Sequence, residues 1–533
     1  MRMASFSIAA FVAGAVLLGV EIAASRVLAP FFGSSLFVWG ALIGVVLTGL
    51  SCGYWVGGAL ADRLPSPLLM LGVLFAGALS VLAIPFVDEP VLEAVVRWDP
   101  GPRANPLLAA VALFGVPSVL LATVTPVAVR LVTSSVATLG RSAGRLFAIS
   151  TAGSIVGTFA TAFWLVPSLG TDQLLAAAAA ALFGAAALFA LTQRLLVPAL
   201  AVAAATAVAG VAAASLAPDT GGTLSGAQAR NWSPLYRLQR EGIGGNPSAD
   251  NAGYKVVFRK ESQYHRITVA DDATSRFLRF DSSFQSGMFL GEPFSTRFSY
   301  TDFFQLALAY NPRAREVLFI GLGGGSAPKR FWRDRPELNL HVAELDPVVV
   351  DVARRYFALP RSPRLQVSVQ DGRRFLDEHE QRWDVIAIDA FYSDSIPFHL
   401  TTREFLELAR SRLKPGGVIV TNAIGSISGS SSRLFRALYR TYGSVFPTVL
   451  VHPVKEPGDA GDESVRNLIL VATEAPAPSR GFLAERWRAA RAQNARLPDL
   501  ESAIRDRHRG TIPTDDVPLL TDDYAPTDAL LLD

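Results

Sequence analysis

Hydrophobic positions crowd into the first 216 residues of the chain, in apolar stretches near 4–29, 36–60, 67–87, 106–131, 143–170, 172–192 and 196–216. Each approaches or exceeds the roughly 20 residues that cross the hydrocarbon of a bilayer. The pattern predicts about seven spans, forming a helical membrane domain over 1–216. The first apolar run is too long for a signal peptide, and no small-residue cleavage site precedes the second span. The last two stretches are Ala-rich and only moderately hydrophobic, so this pair could lie in the interface or be packed internally instead of crossing.

Beyond residue 216 the pattern changes twice. Residues 217–250, with "DTGGTLSG" and "GIGGNPSADN", are Gly-, Ser- and Asn-rich without periodicity and read as a linker. From 251 to 310, "YKVVFRK", "HRITVAD" and "RFLRFD" are short β-rich runs, predicting a small antiparallel β domain that ends in the helix-like "TRFSYTDFFQLALAY". From 311 to 533, "EVLFIG", "LHVAELD", "LQVSVQD", "WDVIAID" and "GVIVTN" alternate with amphipathic segments. That alternation predicts a parallel, doubly wound Rossmann-like α/β domain, with its ligand beyond the carboxyl ends of the strands.

Composition narrows the function classes. Half of the residues are hydrophobic, and the formal net charge of +3 comes with no Lys/Arg-rich run, which argues against nucleic acid as a partner. Cys52 is the sole cysteine, so no internal disulfide and no Cys-based metal site is expected; no His/Cys cluster replaces it. The partner expected of the apolar half is the lipid bilayer, as a multi-pass protein of the cell (inner) membrane.

Arg2, Arg63, Arg141, Arg145 and Arg194 fall on one side of the spans, against Arg97 and Arg103 diluted by acids on the other. The first side is expected to be cytoplasmic. Seven spans would then put the C-terminal half outside, and an even number would put it inside. Gly40, Gly44, Gly49, Gly53 and Gly57 give the second span a small-residue stripe that would let a neighbouring helix come close. Glu21 and Arg26 are ionisable residues within the first span. "GGALADRLPSP" resembles the short cytoplasmic loop of major-facilitator transporters.

Candidate chemistry sits at strand ends. Gly321, Gly323 and Gly325 follow the first strand of the α/β pattern, Glu344 and Asp346 end the second, Asp371 and Gly372 follow the third, and Asp389 ends the fourth. The G-x-G-x-G spacing departs from the dinucleotide fingerprint, which wants its third glycine where Ser326 stands. With no Lys-Ser/Thr after the loop, a triphosphate cradle is not expected. The amides at the helix start suit a carboxylate or a sulfonium-bearing chain.

These residues, with "LEIAASRVLAPFFGSSLFVWGALIG", "ESQYHRITV", "LRFDSSFQ", "VLFIGLGGGS", "AELDP", "QDGRRFL", "VIAIDAFYSDSIPFHLTTREF" and "LTDDYAP", resemble the polyamine aminopropyltransferases, or spermidine synthases, in their membrane-fused form. The resemblance implies a transferase that uses decarboxylated S-adenosylmethionine as co-substrate, a small-molecule amine as acceptor, and no metal. Carried over residue by residue, Glu344 resembles the ribose-binding acid and Asp371 the acid meeting the adenine amino group. Gln285 resembles a donor-site glutamine, and Tyr264 and Tyr300 resemble tyrosines lining the substrate pockets. Asp389 and Asp394 resemble the paired catalytic aspartates: Asp394 would take the proton of the attacking amine, and Asp389 would hold the cation.

Three positions depart from the family pattern. Gly324 stands where soluble members keep the aspartate that binds the donor's terminal amine, Thr301 replaces a histidine, and His265 replaces a glutamine. A carboxylate at the first position would repel intact S-adenosylmethionine, and its loss relaxes that discrimination. An S-adenosylmethionine-dependent methyltransferase is therefore the alternative expectation, and a non-catalytic, transporter-like binder of polyamine or nucleoside is a third. Because S-adenosylmethionine is made in the cytosol, a cytoplasmic catalytic domain is expected, with one Ala-rich segment not crossing. Oligomeric state is not fixed by these features, and a homo-oligomer stays open.

Overall fold

A computed structural model describes residues 2–33, 35–101, 103–133, 135–215, 223–224, 253–281, 283–391, 396–455 and 461–532. The chain divides into two compact units. One comprises Met1–Thr220 together with Arg259–Arg266, and the other comprises Gly221–Phe258 with Ile267–Asp533.

The first unit is helical: α1 (Arg2–Phe32), α2 (Leu36–Arg63), α3 (Pro67–Trp98), α4 (Ala104–Val132), α5 (Val136–Ala160), α6 (Val166–Leu169), α7 (Thr171–Thr192) and α8 (Leu196–Ser215). Helix α5 runs into α6 through a π-helical turn, Thr161–Leu165, and Gly170 at φ 79° separates α6 from α7. The start of α3 is specified locally. Ser66 caps it by accepting the Leu68 N–H at 3.1 Å, and Pro67 occupies the first helical position, where no N–H is needed. Among the described residues, seven helical stretches are long and apolar enough to cross a membrane. Both Ala-rich stretches are included. At 1.5 Å per residue even the 20 residues of α8 reach about 30 Å. Helix α7 packs along α1 and α3, with Ala176, Ala179, Ala186 and Ala190 fully buried, so its alanines serve close packing.

The glycine stripe of α2 packs in part as expected. A Cβ added at Gly49, Gly53 or Gly57 would lie 2.4, 2.5 or 2.8 Å from Ser118, Ala122 or Pro126 of α4, whereas Gly40 and Gly44 meet nothing within 4 Å. A second close approach has no such stripe: at Gly153 and Gly157 of α5 a Cβ would meet the Phe11 and Ala15 carbonyl oxygens at 2.1 and 2.0 Å. Arg26 is paired inside this unit. Its two terminal nitrogens donate to the carbonyls of Tyr264 and Gln263, each at 2.6 Å.

The second unit holds most of a five-stranded sheet, β1 (Thr223–Leu224), β2 (Tyr254–Glu261), β3 (Arg266–Asp271), β4 (Ser275–Phe280) and β5 (Ser283–Phe289), arranged in that order. The predicted connecting helix is two short ones, Tyr300–Phe303 and Leu306–Tyr310. A seven-stranded sheet follows, with β6 (Glu316–Ile320), β7 (Asn339–Glu344), β8 (Leu365–Val369), β9 (Trp383–Ile388), β10 (Leu413–Gly425), β11 (Thr448–Pro453) and β12 (Arg466–Thr473) in the order β11-β12-β10-β9-β6-β7-β8. Strands β6 to β10 pair in parallel, as their near-continuous apolar runs require.

The five expected strands are these parallel ones, and two further strands extend the sheet beyond β10. Strand β12 runs antiparallel to both β10 and β11, which makes a mixed, methyltransferase-like sheet. Both faces are covered: Val317 and Phe319 of β6 enter one core cluster, while Leu318 and Ile320 enter the other.

Candidate active site

The glycine turn leaves β6 at the centre of the sheet. Gly321, Gly323 and Gly325 have φ of 95°, 52° and 71°, a left-handed path that side chains strongly disfavour. At Gly321 space is also lacking, since a Cβ would fall 2.2 Å from the carbonyl oxygen of Asp389, the residue that follows the adjacent β9. The turn then enters the helix Ser326–Asp334.

Glu344 ties the turn to β7. Its Oε2 accepts the Leu322 N–H and its Oε1 the Asp346 N–H, both at 2.9 Å. Asp346 caps the next helix by accepting from Val348 N–H at 2.8 Å.

Asp371 caps the helix Gly372–Glu378, its Oδ1 accepting the Arg373 and Arg374 N–H groups at 3.0 Å. Its Oδ2 meets His399 Nε2 at 2.9 Å. Burial opposes ionisation of Asp371, but the bonds from His399 and the helix amides outweigh it and hold the carboxyl below its ordinary value. At Gly372 a Cβ would lie 2.3 Å from Ile320, so this helix starts hard against β6.

Asp389 has the opposite electrostatics. Burial raises its pKa to about 6, against hydrogen bonds from Asn422 and Tyr300 that pull it down. Asn422 Nδ2 donates to Oδ1 at 3.1 Å, and the Tyr300 hydroxyl faces Oδ2 at 3.4 Å. Asn467 Nδ2 in turn donates to Asn422 Oδ1 at 3.0 Å, which fixes the Asn422 amide with its NH2 toward the acid. Burial, together with the Asp389 charge, lifts the Tyr300 phenol well above its ordinary value.

The structure thus brings together Gly321, Gly323, Gly325, Glu344, Asp371, Gly372, Asp389 and Tyr300 in the second unit. Gln285 lies half-buried on β5. Its neighbour Ser286 touches the turn, accepting the Gly324 N–H at 2.8 Å. Tyr264 belongs to the helical unit, where its carbonyl is held by Arg26. Asp394 lies outside the described residues. Gly324 is closed off, since a Cβ there would sit 2.9 Å from both Phe357 and Ser286. Thr301 donates to Thr296 Oγ1 and the Phe298 carbonyl at 2.8 and 2.9 Å.

Four contributors carry no motif of their own: Ser286, His399, Asn422 and Asn467. Only Asn422 has a usable signal in the sequence, because it closes the expected run "GVIVTN" as Asp389 closes "WDVIAID", and the two strands pair with Thr421 opposite Ile388.

Residues 298–453 match the spermine/spermidine synthase domain family. A polyamine aminopropyltransferase of Vibrio vulnificus is 32% identical over 222 residues, covering 40% of this chain and 72% of that protein. The chain belongs to the polyamine aminopropyltransferase family. Polyamine aminopropyltransferase 2 of Pseudomonas aeruginosa is 28% identical over 204 residues, covering 37% of this chain and 56% of the relative. Among solved structures, the spermidine synthase of Thermotoga maritima aligns with 46% of this chain and 82% of its own at 20% identity and a TM-score of 0.37. The matched residues 298–453 contain the glycine turn and the acids at the ends of β7, β8 and β9.

Proposed function

We propose that the chain is a membrane-anchored aminopropyltransferase that moves the aminopropyl group of decarboxylated S-adenosylmethionine onto an amine acceptor. The observation that carries this reading is Asp389, an acid poised near neutrality at the end of β9, with its own carbonyl against the first glycine of the turn. An amine arrives mostly as ammonium and must lose a proton before it attacks the carbon beside the sulfonium. A new C–N bond then forms as the C–S bond breaks, and the thioether nucleoside leaves with the electron pair. Above pH 6 Asp389 is mostly ionised and can hold the cation, with Tyr300 and Asn422 fixing both carboxylate oxygens. Asp394 keeps the role of proton acceptor that the resemblance implies. Glu344 and Asp371 would bind the nucleoside end of the donor.

The test incubates the full-length protein in detergent with each donor and a panel of di- and polyamines, and weighs the products by mass spectrometry. An amine heavier by one aminopropyl unit, formed only with the decarboxylated donor, is the expected result. Gly324 favours a second reading. Phe357 and Ser286 leave no room there for a carboxylate that would repel intact S-adenosylmethionine, and a methylated amine from that donor would establish it.

Membrane anchoring rests on the seven apolar helices. All seven of these helices are long and apolar enough to cross, the two Ala-rich ones included. With the basic side cytoplasmic, an odd number of crossings puts the aminopropyltransferase domain on the outer face, in place of the cytoplasmic side expected from donor supply. An alkaline phosphatase fused after Asp533 should then be active in cells; an inactive phosphatase and a fluorescent cytoplasmic reporter at the same site would reverse the assignment.

A further inference from the structure

The "LTDDYAP" segment near the C-terminus has no part in the chemistry above, yet its first acid is the hub of a polar cluster. Asp522 Oδ1 accepts Arg373 Nη1 at 2.6 Å and Thr402 Oγ1 at 2.7 Å, while Oδ2 accepts Arg373 Nη2 at 2.6 Å. The Asp522 N–H donates to Glu404 Oε2 at 3.0 Å, and the Arg403 N–H to the Leu520 carbonyl at 2.9 Å. This fork of two parallel N–H···O bonds from Arg373 fixes the plane of the guanidinium as well as its position.

Both partners of Asp522 lead toward the nucleoside end of the site. Arg373 is the second residue of the helix capped by Asp371, and its Nη1 also reaches the carbonyl of His399 at 3.2 Å. His399 Nε2 holds Asp371 Oδ2. Thr402, fully buried, caps the helix Arg403–Ser411 that follows. Asp371 Oδ1 already accepts two helix amides and Oδ2 accepts His399, so Oδ2 alone retains an open acceptor position, and His399 sets its direction. Hydrophobic anchoring of the tail is separate: Leu520 and Val517 are buried in the core beneath it.

We propose that Asp522 is a positioning residue for the donor's nucleoside: by clamping Arg373 and Thr402 it holds His399, and through His399 aims the open lone pair of Asp371 at the exocyclic amine of the adenine. The inference rests on the donor reading given above for what Asp371 meets. It assigns the tail motif to donor affinity and leaves the acceptor amine to Asp389 and Asp394.

The test titrates 5′-methylthioadenosine, the thioether nucleoside that aminopropyl transfer releases, into full-length protein in detergent, by calorimetry. Asp522→Asn keeps the shape but breaks the ionic fork, and Arg373→Lys keeps the charge but loses the fork. Each is expected to weaken the nucleoside by roughly threefold, no more than the loss of His399 itself, and the double variant little more, because both break one interaction. In turnover, KM for the donor should rise while kcat and KM for the amine hold, a split that general destabilisation would not produce. Unchanged affinity in both variants would overturn the positioning role, as would a uniform fall in kcat with donor KM unmoved. Absence of nucleoside binding by the wild type would instead overturn the donor reading beneath it.

Discussion

Asp371 and Asp389 stand at the ends of strands of one sheet, and both look like ordinary strand-end acids in the sequence, yet their environments drive them apart. Asp371 receives two helix amides and an imidazole, which hold its carboxyl below the ordinary value. Asp389 receives one amide and a long phenol contact in a more buried setting, and its carboxyl titrates near pH 6. On the proposed reading, the difference separates holding the donor from handling the acceptor amine. A carboxylate that never changes charge suits recognition of an unchanging nucleoside, whereas one poised near neutrality suits a cationic amine that must shed a proton.

Asp389→Asn breaks the contrast most severely. It is expected to lower kcat by roughly 10²- to 10⁴-fold, measured as aminopropylated product per unit time, with binding of 5′-methylthioadenosine nearly unchanged. The same change should stabilise the protein at neutral pH. The folded state holds Asp389 above its unfolded value, so its favourable contribution is complete below about pH 4 and is lost as pH rises through about 6. Thermal melting at about pH 7.5 should therefore favour the variant by about 1–3 kcal/mol, and the gap should close at about pH 4.

Asn422→Leu removes the shorter bond to Asp389, and Asn467→Leu frees the Asn422 amide to turn its oxygen toward the acid. Both should move the acid limb of kcat/KM to higher pH, by roughly one unit for Asn422 and less for Asn467. His399→Ala acts on the other acid and should be the mildest. Asp371 keeps its two helix amides, so donor KM should rise several-fold, equivalent to about 1 kcal/mol, while the acid limb stays in place.

Much of this arrangement is legible in the sequence. The apolar runs of β6 to β10 and the acids closing them place Glu344, Asp371 and Asp389 beside the glycine turn, because a parallel sheet puts all its strand ends on one edge. Strand β12 is harder to read, since "RNLILVAT" is an apolar run that does not reveal its direction. His399 and Asn467 are brought in by segments far along the chain, one from the short helical turn Phe398–Leu400 and one from β12, and no local spacing announces them. Ser286 is one residue from the expected Gln285, and only the approach of β5 to Gly324 singles it out. In the helical unit, Gly153 and Gly157 are inconspicuous beside the longer stripe of α2, although their contacts are the tighter ones.

The pH profile of kcat/KM for aminopropyl transfer, measured in parallel on the wild type and Asp389→Asn, tests the division of labour between the two acids most directly. A wild-type acid limb with its midpoint near pH 6, absent from the residual activity of the variant, is the expected result. The same limb persisting in Asp389→Asn would contradict it and move the titrating role to another group.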